Sequence, residues 1–175
     1  MATKFVVGAE VPEVALPATD GNRVTLSQLQ GLTVVYAYPR TGVPGAAPIE
    51  GWADIPGATG CTPQSCGFRD HHGELLEAGA SRVFGLSTQD TAYQQDAVER
   101  LELPFALLSD EDLLFAKALG LETFEAGGMT LLKRVAFAIE DGQFVMVQTD
   151  VRDPGANADE VLAWLSDYCS ATAAT

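Results

Sequence analysis

The sequence predicts a single α/β domain over residues 1–175, with a central mixed β-sheet flanked by helices. Strand-like apolar runs alternate with helical patterns along most of the chain, which is typical of this class. The last two strand-like runs are joined by Asp141-Gly142, a strong hairpin signal, so this pair is expected to be antiparallel. The length suits one compact domain, and neither an internal repeat nor a linker is evident.

The N-terminal part predicts a β-hairpin followed by a buried strand. Residues 11–29 hold two short strand-like runs around the turn signal TDGN. Residues 32–38, LTVVYAY, are β-branched and aromatic and are bounded by glycine and proline, which is typical of a strand buried on both faces. Residues 40–60 are rich in Gly, Pro and Ala and predict a long surface loop, and long loops in compact domains are usually functional or disordered.

The remainder continues the alternation and ends in a tail of small residues at 170–175. Strands are predicted at residues 81–87, 105–108, 134–139 and 144–148. Helices are predicted from residue 61 onward and at residues 91–101, 111–119 and 158–168.

Charge and hydropathy exclude several classes of partner. The net charge of −14 repels nucleic acids and anionic membrane surfaces. No apolar run approaches the roughly 18 residues that cross a bilayer. The N-terminal residues lack the pattern of a signal peptide, and three cysteines do not form a secreted disulfide framework. We therefore expect a cytoplasmic protein that binds neither nucleic acid nor membrane.

The stretch from residue 55 to 71, IPGATGCTPQSCGFRDH, carries the clearest chemical signal. Proline is tolerated in the first turn of a helix, so Pro63 predicts a helix that starts near Cys61 or Thr62. Thr62 is a candidate cap for that helix. Cys61 would then lie at the helix N-terminus, where the partial positive charge favours the reactive thiolate.

Two other interpretations of Cys61 and Cys66 follow from the residues alone. Both could be small buried apolar side chains without a chemical role. A metal site is disfavoured, because the C-x4-C spacing is not the usual one and only His71 and His72 lie near it. We expect neither a metal nor a cofactor.

Several segments, taken in order, resemble peroxiredoxins of the bacterioferritin-comigratory or Q type. They are spread over roughly residues 6–168 and read GNRVTLSQLQG, VVYAYPR, GCTPQSCGFRD, RVFGLST, PFALLSDED and RVAFAIEDGQ. The resemblance implies a thioredoxin-like fold and thiol-dependent reduction of hydrogen peroxide and organic hydroperoxides. It also implies recycling by a thioredoxin-like protein reductant, and it favours a monomer.

The same resemblance assigns the site residues. It implies a peroxidatic role for Cys61, a resolving role for Cys66, and active-site roles for Arg134 and Pro39. The family pattern places a threonine three residues before the reactive cysteine, whereas here about fifteen additional residues follow Pro39 and the nearest threonine, Thr59, lies two residues before Cys61. Thr59 is therefore the candidate for the family's hydroxyl group, and the inserted loop, residues 41–58, is expected to form a rim or lid over the thiol.

Helix geometry then predicts a motion. Five residues along an α-helix place two Cα atoms about 8–9 Å apart. A disulfide requires Cα atoms within about 7 Å of each other. If Cys61 and Cys66 share a helix when reduced, the turns from residue 61 to 67 must unwind on oxidation.

Two alternative functions remain open. A disulfide-exchange protein on the same fold is disfavoured, because a C-x-x-C motif is absent. A redox sensor would use the same cysteine switch without rapid turnover, so peroxide consumption with oxidation of thioredoxin distinguishes the enzyme from the sensor.

Overall fold

The computed structural model of the chain describes residues 4–42, 49–55 and 58–173. Its centre is a five-stranded mixed sheet in the order β5-β4-β3-β8-β9. The strands of this sheet are β3 (Leu32–Ala37), β4 (Arg82–Ser87), β5 (Leu107–Ser109), β8 (Val135–Glu140) and β9 (Gln143–Gln148). Strands β3, β4 and β5 are parallel, whereas β8 is antiparallel to both of its neighbours.

Two small hairpins and five helices complete the described fold. The hairpins are β1 (Ala15–Pro17) with β2 (Arg23–Thr25), and β6 (Thr123–Ala126) with β7 (Met129–Leu132). The helices are α1 (Cys61–Asp70), α2 (His72–Glu77), α3 (Thr91–Leu101), α4 (Leu114–Leu119) and α5 (Asn157–Ala173).

The sheet separates two apolar cores. Helices α1, α2, α3 and α5 pack on one face, and α4 and the N-terminal hairpin pack on the other. Successive side chains of β3 enter opposite cores, as those of Val34 and Val35 show, and both are fully buried. The strand is therefore buried on both faces, as its sequence predicted.

The mixed sheet, the Asp141-Gly142 hairpin and the helix at residues 91–101 are confirmed. The strand predicted at residues 105–108 starts two residues later and ends one residue later, and the N-terminal strands are shorter than predicted. The β6–β7 hairpin was missed, although its turn is Gly127-Gly128, and both glycines have the positive φ that such turns require.

Parts of three predictions lie outside the described residues. The domain predicted over residues 1–175 is described except at its two ends. Positions 43–48 and 56–57 of the inserted loop and the last two residues of the tail also lie outside the described residues. The extent of the domain stays a prediction. Within the described ranges, no helix is long and apolar enough to cross a membrane.

Asp110 determines where α4 begins. Burial raises the pKa of this carboxyl group, and its two oxygens accept hydrogen bonds from the backbone N–H groups of Phe115 (3.0 Å) and Ala116 (2.8 Å). Leu113 has a left-handed φ of 60° immediately before the helix. The sequence predicted a helix that starts at residue 111. The helix instead starts at residue 114.

We expect the Asp110→Ala substitution to lower the free energy of unfolding by about 1–3 kcal/mol, because two buried N–H groups lose their acceptor. Urea denaturation measures the change. Asp112→Ala alters an exposed neighbour and should change the stability by less than about 0.5 kcal/mol. Equal losses in the two variants would contradict this role for Asp110.

The raised pKa of Asp110 also gives a sign for the pH dependence. The native state holds the proton more tightly than the unfolded chain does. The free energy of unfolding therefore falls as the pH rises from the pKa of Asp110 in the unfolded chain to its raised pKa in the native state. The wild type should therefore gain stability relative to Asp110→Asn as pH is lowered from neutral toward the ordinary value of 3.8. Urea titrations of both proteins at several pH values measure the difference, and a difference that shrinks on acidification would contradict it.

Candidate active site

Cys61 is the first residue of α1 and is buried, with 4% of its surface exposed. The residue that precedes the helix is Gly60, which has a left-handed φ of 107°, and its carbonyl group accepts from the N–H of Gln64 (2.9 Å). The prediction that Cys61 lies at the helix N-terminus is confirmed. The prediction that Thr62 caps the helix is wrong, because the helix begins one residue earlier and includes Thr62 in its first turn.

Two hydrogen-bond donors approach the Cys61 sulfur. The Nη2 atom of Arg134 lies 3.3 Å from Sγ, and the backbone N–H of Arg40 lies 3.4 Å from it. The thiol itself can donate to the carbonyl oxygen of Ala58, at 3.7 Å. A guanidinium group, a backbone N–H donor and a helix N-terminus can all stabilise negative charge that develops at this sulfur.

Arg134 lies in the short connection between β7 and β8 and is 5% exposed. Its Nη1 atom donates to Oε1 of Gln64 (2.6 Å), and its Nη2 atom donates to the backbone carbonyls of Thr59 (2.9 Å) and Ala58 (3.5 Å). These acceptors come from the helix and from the residues just before it. They fix the guanidinium plane next to the sulfur without neutralising its charge.

Pro39 is buried and lies two residues after the carboxyl end of β3. Because proline has no N–H group, the next donor along the chain is the N–H of Arg40, which points at the sulfur. The side chain of Arg40 lies over the ring of Tyr93, at 5.1 Å from its centroid. Pro39 thus belongs to the site because it directly precedes Arg40, whose backbone N–H contacts the sulfur.

Thr59 is exposed and reaches the site through its carbonyl oxygen, which accepts from Arg134. A second threonine, Thr41, was not considered from the sequence. It is 1% exposed, and its hydroxyl oxygen is buried without a hydrogen-bond partner among the described residues. Its position two residues after Pro39, beside Arg40, is the signal in the sequence that marks it as a candidate.

Cys66 lies in the same helix as Cys61, is half-buried, and is not joined to it. Cys169 lies in α5 and packs against the same core as Cys66. In the described part of the chain, no group of three or more His, Cys, Asp or Glu side chains is arranged to hold a metal ion.

An aromatic layer lies beneath the first turns of α1. Tyr36 stacks on Phe68 with ring centroids 4.5 Å apart, and its hydroxyl group donates to Oγ of Ser65 (3.0 Å). Burial raises the pKa of both Tyr36 and Tyr38. The floor of the site is therefore shielded from solvent, and charge interactions across it are stronger than they would be in water.

Comparison with known proteins identifies the family. A family model described as Redoxin matches residues 6–162. The chain is 33% identical to peroxiredoxin Bcp of Escherichia coli K12 over 166 residues, which cover 92% of this chain and 96% of that protein. The chain belongs to the redoxin family, as a peroxiredoxin of the Bcp type. It is a thiol peroxidase with a thioredoxin-like fold, as the matching segments implied.

Solved structures agree with this assignment. Peroxidoxin BcpB from Mycobacterium tuberculosis is 28% identical, with a TM-score of 0.72 over 91% of this chain and 95% of that one. The bacterioferritin comigratory protein of Xanthomonas campestris, which was studied for alkyl peroxide reduction, is 20% identical and shows the same fold, with a TM-score of 0.71 over 96% and 99% of the two chains.

In this peroxiredoxin, the turn before α5 packs tightly against α1. A Cβ atom built on Gly60 would lie 2.6 Å from Cγ of Pro154, and one built on Gly67 would lie 3.2 Å from the carbonyl oxygen of Gly155. The two glycines flank the segment that contains both cysteines. Close packing of this turn against the segment therefore depends on glycine at both ends of the segment.

We expect Gly60→Ala to destabilise the peroxiredoxin strongly, because it adds a collision with Pro154 to the strain of a positive φ. The matched control is Gly51→Ala, since Gly51 also has a positive φ (74°) but has open space around its Cβ position. The control should lose about 1–2 kcal/mol from φ strain alone. In Gly60→Ala, overpacking should lower the free energy of unfolding by a further amount of about 1–3 kcal/mol. Urea denaturation compares them, and equal losses would contradict the contact.

Proposed function

We propose that this peroxiredoxin reduces hydrogen peroxide and organic hydroperoxides through attack of the Cys61 thiolate on one peroxide oxygen. An S–O bond forms, the O–O bond breaks, and the departing oxygen takes up a proton to leave as water or an alcohol. The product on the protein is Cys61 sulfenic acid. The observation that carries this proposal is the contact of the Arg134 guanidinium with Sγ at 3.3 Å, in a buried site at a helix N-terminus.

The same donors suit the transition state. Negative charge develops on the departing oxygen as the sulfur loses its own, so donors that line the path of both atoms lower the barrier. Arg134 cannot lose its proton and presents several N–H groups in one plane. The N–H of Arg40 is a second donor at the sulfur. In this proposal Pro39 sets the direction of that N–H, and Thr59 orients Arg134 through its carbonyl oxygen.

Cys66 is the proposed resolving residue. Its thiol attacks the sulfur of the Cys61 sulfenic acid, a disulfide forms, and water leaves. Because both residues lie in the continuous helix α1 when reduced, the first turns of that helix must open before the two sulfur atoms can bond. Gly67 lies at the end of the segment and lowers the barrier to opening, since glycine is a poor helix former.

The proposed electron donor is a thioredoxin-like protein, whose dithiol reduces the Cys61–Cys66 disulfide by exchange. We further propose a cytoplasmic monomer. The alternative is a redox sensor or exchange protein with the same cysteine pair. Steady consumption of peroxide with stoichiometric oxidation of thioredoxin supports the enzyme, whereas a single reaction followed by slow recovery supports the sensor.

The two cysteines can be separated by substitution. Cys61→Ser should reduce peroxide turnover to background, because the nucleophile is lost. Cys66→Ser should consume one equivalent of peroxide and then stop with one added oxygen atom on Cys61, which mass spectrometry of the digested protein locates. Cys169→Ser is the control and should retain turnover. Turnover that survives Cys61→Ser would remove that residue from the nucleophilic role.

Opening of the helix can be followed by hydrogen exchange. After one equivalent of peroxide, the amide groups of residues 61–67 should exchange faster than in the reduced protein, whereas those of α3 should not change. Cys66→Ser treated in the same way forms no disulfide and should keep the protection of α1. A disulfide-bonded protein in which α1 exchanges as slowly as before oxidation would contradict the motion.

A further inference from the structure

A buried chain of amide side chains leads from Arg134 to the start of α5. Arg134 Nη1 donates to Oε1 of Gln64 (2.6 Å), Gln64 Nε2 donates to Oδ1 of Asn157 (2.9 Å), and Asn157 Nδ2 donates to Oε1 of Gln148 (2.7 Å). Gln64 and Asn157 are completely buried, and Gln148 is half-buried at the end of β9. This row of hydrogen bonds links α1, α5 and β9 to the guanidinium group that contacts Cys61.

The chemistry of arginine fixes the direction of every bond in this chain. A guanidinium group has donors only, so the amide oxygen of Gln64 must face Arg134. The NH₂ group of Gln64 must then face away, and its acceptor has to be the oxygen of Asn157. The NH₂ group of Asn157 in turn requires an acceptor, which Gln148 supplies. A reversed amide at any point would place two donors or two acceptors against each other.

We propose that Asn157 is a positioning residue that, through Gln64, holds the Arg134 guanidinium against the Cys61 sulfur. The proposal rests on the proposed role of Cys61. Arg134 contacts the sulfur with Nη2 and contacts Gln64 with Nη1, so rotation of the Gln64 amide changes the orientation of the whole guanidinium plane. Without Asn157, the buried NH₂ group of Gln64 loses its acceptor, and a buried donor left unsatisfied costs more than the bond itself contributed.

Asn157 is well placed for this task because the turn that precedes it is anchored by hydrogen bonding and packing. It is the first residue of α5 and directly follows a 3-10 turn, Pro154–Ala156. Asp153 caps that turn by accepting from the N–H of Ala156. The same turn packs against Gly60, which precedes α1, and against Gly67 within it. The oxygen of Asn157 is therefore held at a fixed distance from α1 while that helix is intact.

The test measures the ionisation of Cys61 rather than turnover alone. In a Cys66→Ser, Cys169→Ser background, Cys61 is the single thiol, and the pH dependence of its alkylation gives a titration midpoint. Asn157→Ala should move this midpoint upward by about 0.5–1 pH unit and slow the reaction with peroxide roughly five- to tenfold. These sizes correspond to the loss of one hydrogen bond to Gln64, which is the partner of the charged Arg134. Arg134→Ala sets the upper limit of both effects.

The matched control lies in the same helix. Tyr168→Phe removes a hydrogen bond from α5 to Glu140 (2.8 Å) and should leave the midpoint at the wild-type value. If Asn157→Ala does not fold, Gln148→Ala removes the acceptor at the outer end of the chain, from a half-buried position, and should give a smaller upward shift.

A wild-type midpoint in Asn157→Ala, or in Gln148→Ala where that variant replaces it, would overturn the proposal. It would do so even if the urea midpoint fell, because the residue would then be merely structural. An Arg134→Ala variant with an unchanged midpoint would overturn it as well, since Asn157 acts through Arg134. Failure of the proposed function looks different: the wild type would consume no peroxide while the titration still responded to Asn157.

Discussion

The contact between the Arg134 guanidinium and the Cys61 sulfur is the interaction on which the active site depends. An isolated charge of either sign would be unstable when buried, because it loses the solvation that water provides. The guanidinium group and the ionised sulfur each offset part of that cost for the other. The pair is also asymmetric, because the arginine keeps its charge throughout whereas the sulfur gains or loses one. The fold therefore has to fix the arginine independently of the sulfur, and it does so with the carbonyls of Ala58 and Thr59 and the amide of Gln64.

The sheet explains why these groups meet. Strand β3 is buried on both faces and ends at Ala37, two residues before Pro39. The N–H of Arg40 therefore emerges at the carboxyl edge of the sheet, where α1 also begins. Strand β8, antiparallel to β3, starts beside that edge, and Arg134 immediately precedes it. The donor, the sulfur and the cation thus come from three segments that are distant in sequence. Pairing of β3 with β8 brings two of them together, and packing of α1 on the sheet adds the sulfur.

Local signals predicted much of this arrangement. Pro63 located the helix start to within one residue, and Asp141-Gly142 predicted the antiparallel strand pair. Thr62 was misplaced as a cap because the left-handed Gly60 allows the helix to begin one residue earlier. The β6–β7 hairpin was missed because its short strands are only partly buried and give little alternation in the sequence.

The buried amides could not be found from the sequence at all. Gln64 and Asn157 are 93 residues apart, and each alone looks like an ordinary surface residue. Their burial depends on the donor requirement of Arg134, which is a property of the folded site rather than of any local pattern. Hydrophobic periodicity indicates which side chains are buried, but it does not indicate which polar groups form hydrogen bonds with each other.

The arrangement of backbone contacts around the inserted segment has an evolutionary consequence. The polypeptide contacts the site near both ends of this segment: Arg40 through its N–H on the sulfur, and Ala58 and Thr59 through their carbonyls on Arg134. Residues could be gained or lost between these two attachment points while the reacting groups keep their places. The catalytic geometry and the length of the neighbouring loop are thus free to diverge separately.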